Sequence, residues 1–203
     1  MSEAEPRVAH VWLLQEGDFI TSTERFYNIE HSIIAIATAS PYATHAMLYI
    51  GANRIVEATG DKQGVHTRNL AQALTSPYAS AYTVRGLTLK QRQIICQYAR
   101  HMLTTPYDPV AAILSAVNYP AAGPACFCSG LVSAAYQKAG IRLTQTMTPS
   151  PGALDNSNNA NVYWLGWLKH LDPDIQSKCD RMLYQPGDPS LLDKATEWVT
   201  RRR

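Results

Sequence analysis

Ala125-Cys126-Phe127-Cys128-Ser129-Gly130-Leu131-Val132 is the stretch whose reading decides the fold. Gly123 and Pro124 precede it. An apolar run follows, with Leu131, Val132, Ala135, Tyr136 and Ala139 at helical spacing and Gly140 as the stop. Cys128 therefore falls at or near a helix N-terminus, where unpaired backbone N–H groups and the helix dipole favour negative charge. With an imidazolium nearby, such a setting lowers a thiol pKa from ~8.5 to somewhere in ~3.5–7.5. Thiolate is the attacking species, and the same N–H groups can donate to an oxyanion. The bland alternative is a small buried hydrophobe, the ordinary fate of a free cysteine, and the local pattern fits both. Cys96, inside a helix, and Cys179 suit the bland alternative. Cys126 lies two residues earlier, in the loop before the helix, so Cys128 is the preferred nucleophile. A zinc reading of Cys126-x-Cys128 lacks the second matching pair that such sites show, so no metal and no cofactor are expected.

A nucleophilic cysteine needs a base that is itself held by a third group. Of the six histidines, His45 opens the apolar strand His45-Ala46-Met47-Leu48-Tyr49-Ile50, where a polar side chain can reach a cleft. A second strand, Arg54 to Ala58, follows Gly51-Ala52-Asn53, a hairpin signal. If that loop is Gly51 to Asn53, Ile50 pairs with Arg54 and Met47 faces Glu57. Glu57 then shares a face with His45, one diagonal step away at ~7–8 Å between backbones. A one-residue slip would send Glu57 to the other face. A hydrogen-bonded strand-edge histidine and a solvent-facing glutamate are the alternatives. His66, His101, His10, His31 and His170 suggest no acidic partner and are taken as background.

Elsewhere the pattern is that of helices packed on a small antiparallel sheet, an α+β arrangement. Gly17-Asp18 marks a turn into a strand, and Ile29 to Ala39 has helical spacing. Thr88 with Gln91 fits a capping box, with Ile94, Ile95, Tyr98 and Met102 on one side of its helix. Asp108-Pro109 opens a helix to about Val117. Asp155 to Asn161 reads as a polar loop, and Ser190 with Asp193 starts a final helix.

At 203 residues, with 46% apolar and 17% charged residues, the chain suits one globular domain over 1–203. A net charge of +2 gives no argument for nucleic acid, and the Arg201-Arg202-Arg203 run reads as a solvated tail. No stretch approaches the ~18 apolar residues of a membrane helix, so no integral membrane segment is expected. Met1 to Pro6 carries Glu3 and Glu5 and no apolar h-region. The expectation is synthesis in the cytoplasm without a signal peptide, with the four cysteines as thiols.

Taken together, Thr44-His45-Ala46-Met47-Leu48-Tyr49-Ile50-Gly51, Val56-Glu57-Ala58, Gly64-Val65, Thr105-Pro106-Tyr107-Asp108 and Cys128-Ser129-Gly130-Leu131-Val132 resemble the NlpC-type papain-like hydrolases. The histidine strand precedes the cysteine helix, which resembles the circularly permuted, YiiX/YebB-like branch. The likeness spans about residues 13–154 and says little about a C-terminal extension over 162–203. It implies a permuted papain-like fold and a triad of Cys128 as nucleophile, His45 as base and Glu57 as the third polar member. Tyr42 and Ser129 are candidates for substrate or oxyanion contact. Family members mostly cleave amide bonds, often in peptidoglycan stem peptides. The expected activity is therefore that of a cysteine amidase or endopeptidase on such a peptide or peptidoglycan substrate. Delivery to a target-cell periplasm by a specialised secretion system, as an antibacterial toxin with an immunity protein as partner, is the expected context. A lipid acyl hydrolase or acyltransferase is the alternative; it needs an apolar tunnel, for which Val162-Tyr163-Trp164-Leu165-Gly166-Trp167-Leu168 is the candidate lining, although a helix or strand packing on the core is the preferred reading of that segment. A non-catalytic binding module is the third possibility.

Overall fold

The structure is a computed structural model, and it describes residues 13–23, 43–60, 64–74, 78–116, 126–146, 148–157 and 159–169. Among these, β1 (Phe19–Ser22), β2 (His45–Tyr49), β3 (Arg54–Thr59), β4 (Gly64–Asn69), β5 (Ala79–Val84) and β6 (Val162–Lys169) form one sheet. Its spatial order is β4-β3-β2-β1-β5-β6, with every neighbouring pair antiparallel. The helices are α1 (Leu70–Ala73), α2 (Leu89–His101), α3 (Pro109–Ala116), α4 (Cys128–Lys138) and α5 (Pro151–Asp155). The expected helix over Ile29 to Ala39, the final helix from Ser190, and Tyr42, Cys179, His10, His31 and His170 lie outside the described residues.

Pleating divides the sheet's side chains between two apolar layers. Ala46, Leu48, Ile50, Val56 and Ala58 face Leu131, Val132, Ala135 and Tyr136 of α4 and Ile95, Cys96 and Ala99 of α2. Ile20, Met47, Tyr49 and Ile55 make the other layer with Leu70 and Ala73 of α1. Strand β2 is thus buried on both faces, which is why His45 to Tyr49 reads as a nearly continuous apolar run.

The local signals correspond to specific bonds. Thr88 Oγ1 accepts from Gln91 N–H and the Gln91 side chain accepts from Thr88 N–H, the expected capping box. The buried stripe of α2 is Ile95, Cys96 and Ala99, with Ile94, Tyr98 and Met102 half-buried beside it, a rotation of the expected face toward the small residues. Asp108 Oδ1 accepts from Ala111 N–H at the start of α3. Helix α4 ends in paired bonds, Ile141 N–H to Tyr136 O and Gly140 N–H to Gln137 O, with Gly140 at φ 77°.

One expectation needs correction. Asp155 is not a loop residue but the last residue of α5, and its Oδ1 accepts from Thr21 Oγ1 and Tyr82 O–H, each at 2.7 Å. Val162 to Leu168 belongs to strand β6, where Trp164 Nε1 donates to Ser80 Oγ at 3.1 Å. That segment extends the sheet, and Val162 and Trp164 pack against the core, as the preferred reading of it expects.

Candidate active site

Strands β2 and β3 meet in the register that Gly51-Ala52-Asn53 dictates. Ala52 and Asn53 take left-handed φ values of 50° and 55°. Ile50 N–H donates to Arg54 O at 3.0 Å, and Met47 stands opposite Glu57. His45 therefore lies one diagonal step from Glu57 on the same face. Its Nε2 is 2.8 Å from Glu57 Oε2, with both side chains buried. A carboxylate only accepts, so Nε2 carries the proton of this bond and, in the neutral ring, Nδ1 carries the lone pair. That is the tautomer a proton acceptor requires.

Glu57 is completely buried. Burial alone works to raise its pKa, but the hydrogen bond from His45 and the charges of His45, Arg68 and His66 outweigh it and hold the carboxyl below its ordinary 4.5. Its other oxygen, Oε1, faces β4: Arg68 Nε lies 2.9 Å away and His66 Nε2 3.4 Å away. His66 is thus not background. Its acidic partner is Glu57, directly opposite it in the β3–β4 ladder. His101 is an exposed residue at the end of α2.

The thiol arrives on α4, whose first residue is Cys128, only 3% exposed. The preceding Phe127 has extended backbone and gives no side-chain cap, so the first-turn N–H groups are not consumed by one. Gly130 is required by packing: a Cβ there would lie 2.7 Å from the Phe127 ring, itself fully buried. Ser129 is buried, and its hydroxyl has no hydrogen-bond partner among the described residues. Cys126, two residues before Cys128, is a core side chain whose thiol is pushed up to about 12, by burial first and then by Cys128. Burial likewise pushes Cys96 up to about 11.

Two sets of bonds fix the direction of α4 across β2 and β3, against which it packs. Near its C-terminus, Tyr136 O–H donates to Gly17 O and its ring meets Phe19 edge-on at 6.0 Å, at the end of the sheet where β1 begins. Near its N-terminus, a chain of backbone bonds leads from β4 to the cysteines. Val65 N–H donates to Thr105 O at 2.9 Å, Thr104 N–H returns to Val65 O at 2.8 Å, and Asp108 N–H donates to Cys126 O at 2.9 Å. Tyr107 and Cys126 form a parallel bridge. Gly64, at φ 60°, permits this approach, because a Cβ there would run into the Thr105 carbonyl. Gly64 pairs with Thr59, and the β2–β3 register carried two residues on sets Thr59 opposite His45. The backbone approach to Cys126, two residues before Cys128, is thus made from the end of the sheet where β2 begins.

Among the described residues, no group of three or more His, Cys, Asp and Glu is placed to hold a metal ion. No helix among them is long and apolar enough to cross a membrane. Surface cavities among the described residues include two walled by polar side chains. One, about 480 Å³, is lined by Arg54, Thr59, His66, Thr67, Arg68, Asn69 and Gln72. The other, about 320 Å³, is lined by Arg142, Thr144, Gln145 and Asn159.

The sequence profile of the permuted papain-like amidases, YaeF/YiiX, C92 family, matches residues 13–167. Among solved structures, the chain is similar to one described as metalloprotein yiiX from Escherichia coli O157:H7. The TM-score is 0.60 at 21% identity, over 79% of this chain and all of that one. No curated protein matches the sequence.

Proposed function

The chain belongs to the permuted papain-like amidase family, is a cysteine hydrolase with that fold, and from that premise we propose that Cys128, His45 and Glu57 form its catalytic triad. The observation that carries this assignment is the buried 2.8 Å bond between His45 Nε2 and Glu57 Oε2, at the sheet end toward which the uncapped start of α4 is tied. Cys126, with its thiol at about 12, is the poorer nucleophile.

In this mechanism the Cys128 thiol gives its proton to His45 Nδ1, and the thiolate Sγ attacks the substrate carbonyl carbon. The π electrons move to oxygen, which the first-turn N–H groups of α4 hold. Collapse of the tetrahedral intermediate breaks the C–N bond, and the leaving amine takes a proton from the His45 imidazolium. Water, losing a proton to His45 Nδ1, then attacks the thioester. The C–S bond breaks, a carboxylic acid leaves, and Sγ takes the proton back from the His45 imidazolium, which restores the thiol. Glu57 keeps Nε2 protonated and stabilises the imidazolium. The buried Ser129 hydroxyl and Tyr42 are the candidates for contacts to substrate or oxyanion, Ser129 with its donor uncommitted among the described residues.

The substrate proposed is an amide bond of a peptidoglycan stem peptide. The family's description as amidases supports an amide substrate, and the incorporation of Val162–Lys169 into the sheet removes the segment offered for a lipid tunnel. Digestion of purified sacculi, with phospholipid vesicles in parallel and mass spectrometry of the products, tests this choice. Released stem peptides support it; free fatty acid without muropeptide products overturns it. An antibacterial effector role, with an immunity protein as partner, is the further proposal on the same substrate. Its test is expression directed to the periplasm of a susceptible bacterium, where the wild type lyses cells and Cys128→Ala does not.

A further inference from the structure

Glu57 has two oxygens, and His45 uses only one of them. The other, Oε1, lies in a fully buried side chain that nothing on β2 satisfies. Both groups that face it come from β4: Arg68 Nε at 2.9 Å and His66 Nε2 at 3.4 Å. Arg68 is close enough for an ion pair yet out of line for a hydrogen bond, so its hold on Oε1 is electrostatic. His66 is itself oriented. Its Nδ1–H donates to the Gly64 carbonyl at 3.0 Å, which turns Nε2 toward the carboxylate, and that contact is attractive only while Nε2 also carries a proton. Gly64, in turn, begins the segment bonded to Thr104 and Thr105.

We propose that His66 and Arg68 are positioning residues for the amidase reaction, which clamp Glu57 Oε1 so that Oε2 stays aimed at His45 Nε2. The inference rests on the triad assignment and extends it by one strand. Without the clamp, a carboxylate with a free torsion at its end samples orientations in which Oε2 leaves the His45 axis. His45 then loses both its tautomer preference and the stabilisation of its imidazolium. Substrate binding does not involve Glu57 directly, so the loss falls on turnover and not on KM. Both residues also line the 480 Å³ cavity, while the Arg68 Nε that faces Glu57 is buried.

Four variants test the clamp: Arg68→Gln and His66→Phe remove it, while Arg68→Lys keeps the charge and His66→Gln keeps a donor. The removing variants are expected to lower kcat about tenfold or more, the range found when a group that orients a working histidine is lost, with KM within about twofold. The conservative variants recover much of that loss. A second readout needs no turnover. In the Cys128→Ala protein, the low-field imidazole N–H proton of His45, identified by its absence in His45→Gln, broadens or shifts in Arg68→Gln and His66→Phe and persists in Arg68→Lys and His66→Gln. Wild-type kcat together with an unchanged low-field proton in folded Arg68→Gln and His66→Phe overturns the clamp. Activity surviving Cys128→Ala instead overturns the triad, and the proton signal still decides whether β4 positions Glu57. Should a removing variant fail to fold, its conservative counterpart carries the test, because an undisturbed signal there is required.

Discussion

Replacing Glu57 by Gln keeps shape and volume and removes only the charge and one acceptor. The carboxylate accepts from His45 on one oxygen and faces Arg68 and His66 with the other. A carboxamide has one oxygen and one NH2. If its oxygen turns to His45, its NH2 meets the N–H groups of β4; if flipped, its NH2 meets His45 Nε2–H. One donor–donor contact remains in either orientation. The charge-assisted bond to His45 is buried, a setting in which such bonds contribute about 1.5–3 kcal/mol. The Arg68 side chain is 32% exposed, so its share is discounted toward the ~0–1 kcal/mol of a surface pair. The expected loss of stability is therefore about 2–4 kcal/mol, below the full ~3–5 kcal/mol of an uncompensated buried charge. Urea unfolding at pH 5 reads it as a lower midpoint with unchanged m. The pH dependence supplies the stricter test. The folded carboxyl sits below its ordinary 4.5, so its contribution is fully present above 4.5 and is lost as the pH falls through the folded value. The gap between wild type and Glu57→Gln should close below pH 4.5. Equal midpoints at pH 5, or a gap that holds constant to pH 3, would refute the electrostatic account of Glu57.

Cys128→Ala and His45→Ala should each lower turnover at least ~10³-fold without unfolding the protein, because triad members act as a unit; sacculus digestion and thermal unfolding check the two halves. A thiol-reactive probe at pH 7 should label Cys128 ahead of Cys126 and Cys96, whose thiols are pushed up to about 12 and about 11, and peptide mapping of the labelled protein reads the order. Gly130→Ala should lose about 1–3 kcal/mol of stability in urea, since its Cβ would lie 2.7 Å from a Phe127 ring with no room to retreat.

The sequence makes the site legible where a short connection fixes the geometry. Gly51-Ala52-Asn53 admits few hairpin registers, so the His45–Glu57 contact follows from counting residues along two strands. Cys128 follows as readily from an apolar helix with a clean start and a glycine stop. His66 is another matter. Its partner lies across the β3–β4 ladder, whose register is set by Thr59 opposite Gly64 and not by the loop that joins β2 to β3. Asp155 is hidden because Thr21 and Tyr82, which bond it, lie 134 and 73 positions away. Strands β5 and β6 carry weak alternation because their ladder shifts register at Ala79/Ser80 and Ala81/Tyr82. Long-range partners decide the cases of Asp155 and of β5 with β6, and period and propensity carry no information about them.

The His45–Glu57 bond closes over only 12 positions, whereas α4 belongs to a much later part of the chain. During synthesis the hairpin that joins base and carboxylate leaves the ribosome first and can assemble from local contacts, while the reactive sulfur emerges well afterwards. In the proposed triad, a nascent chain of this permuted order therefore holds its base and carboxylate before it holds the nucleophile. Hydrolytic competence arrives as one of the last events of maturation.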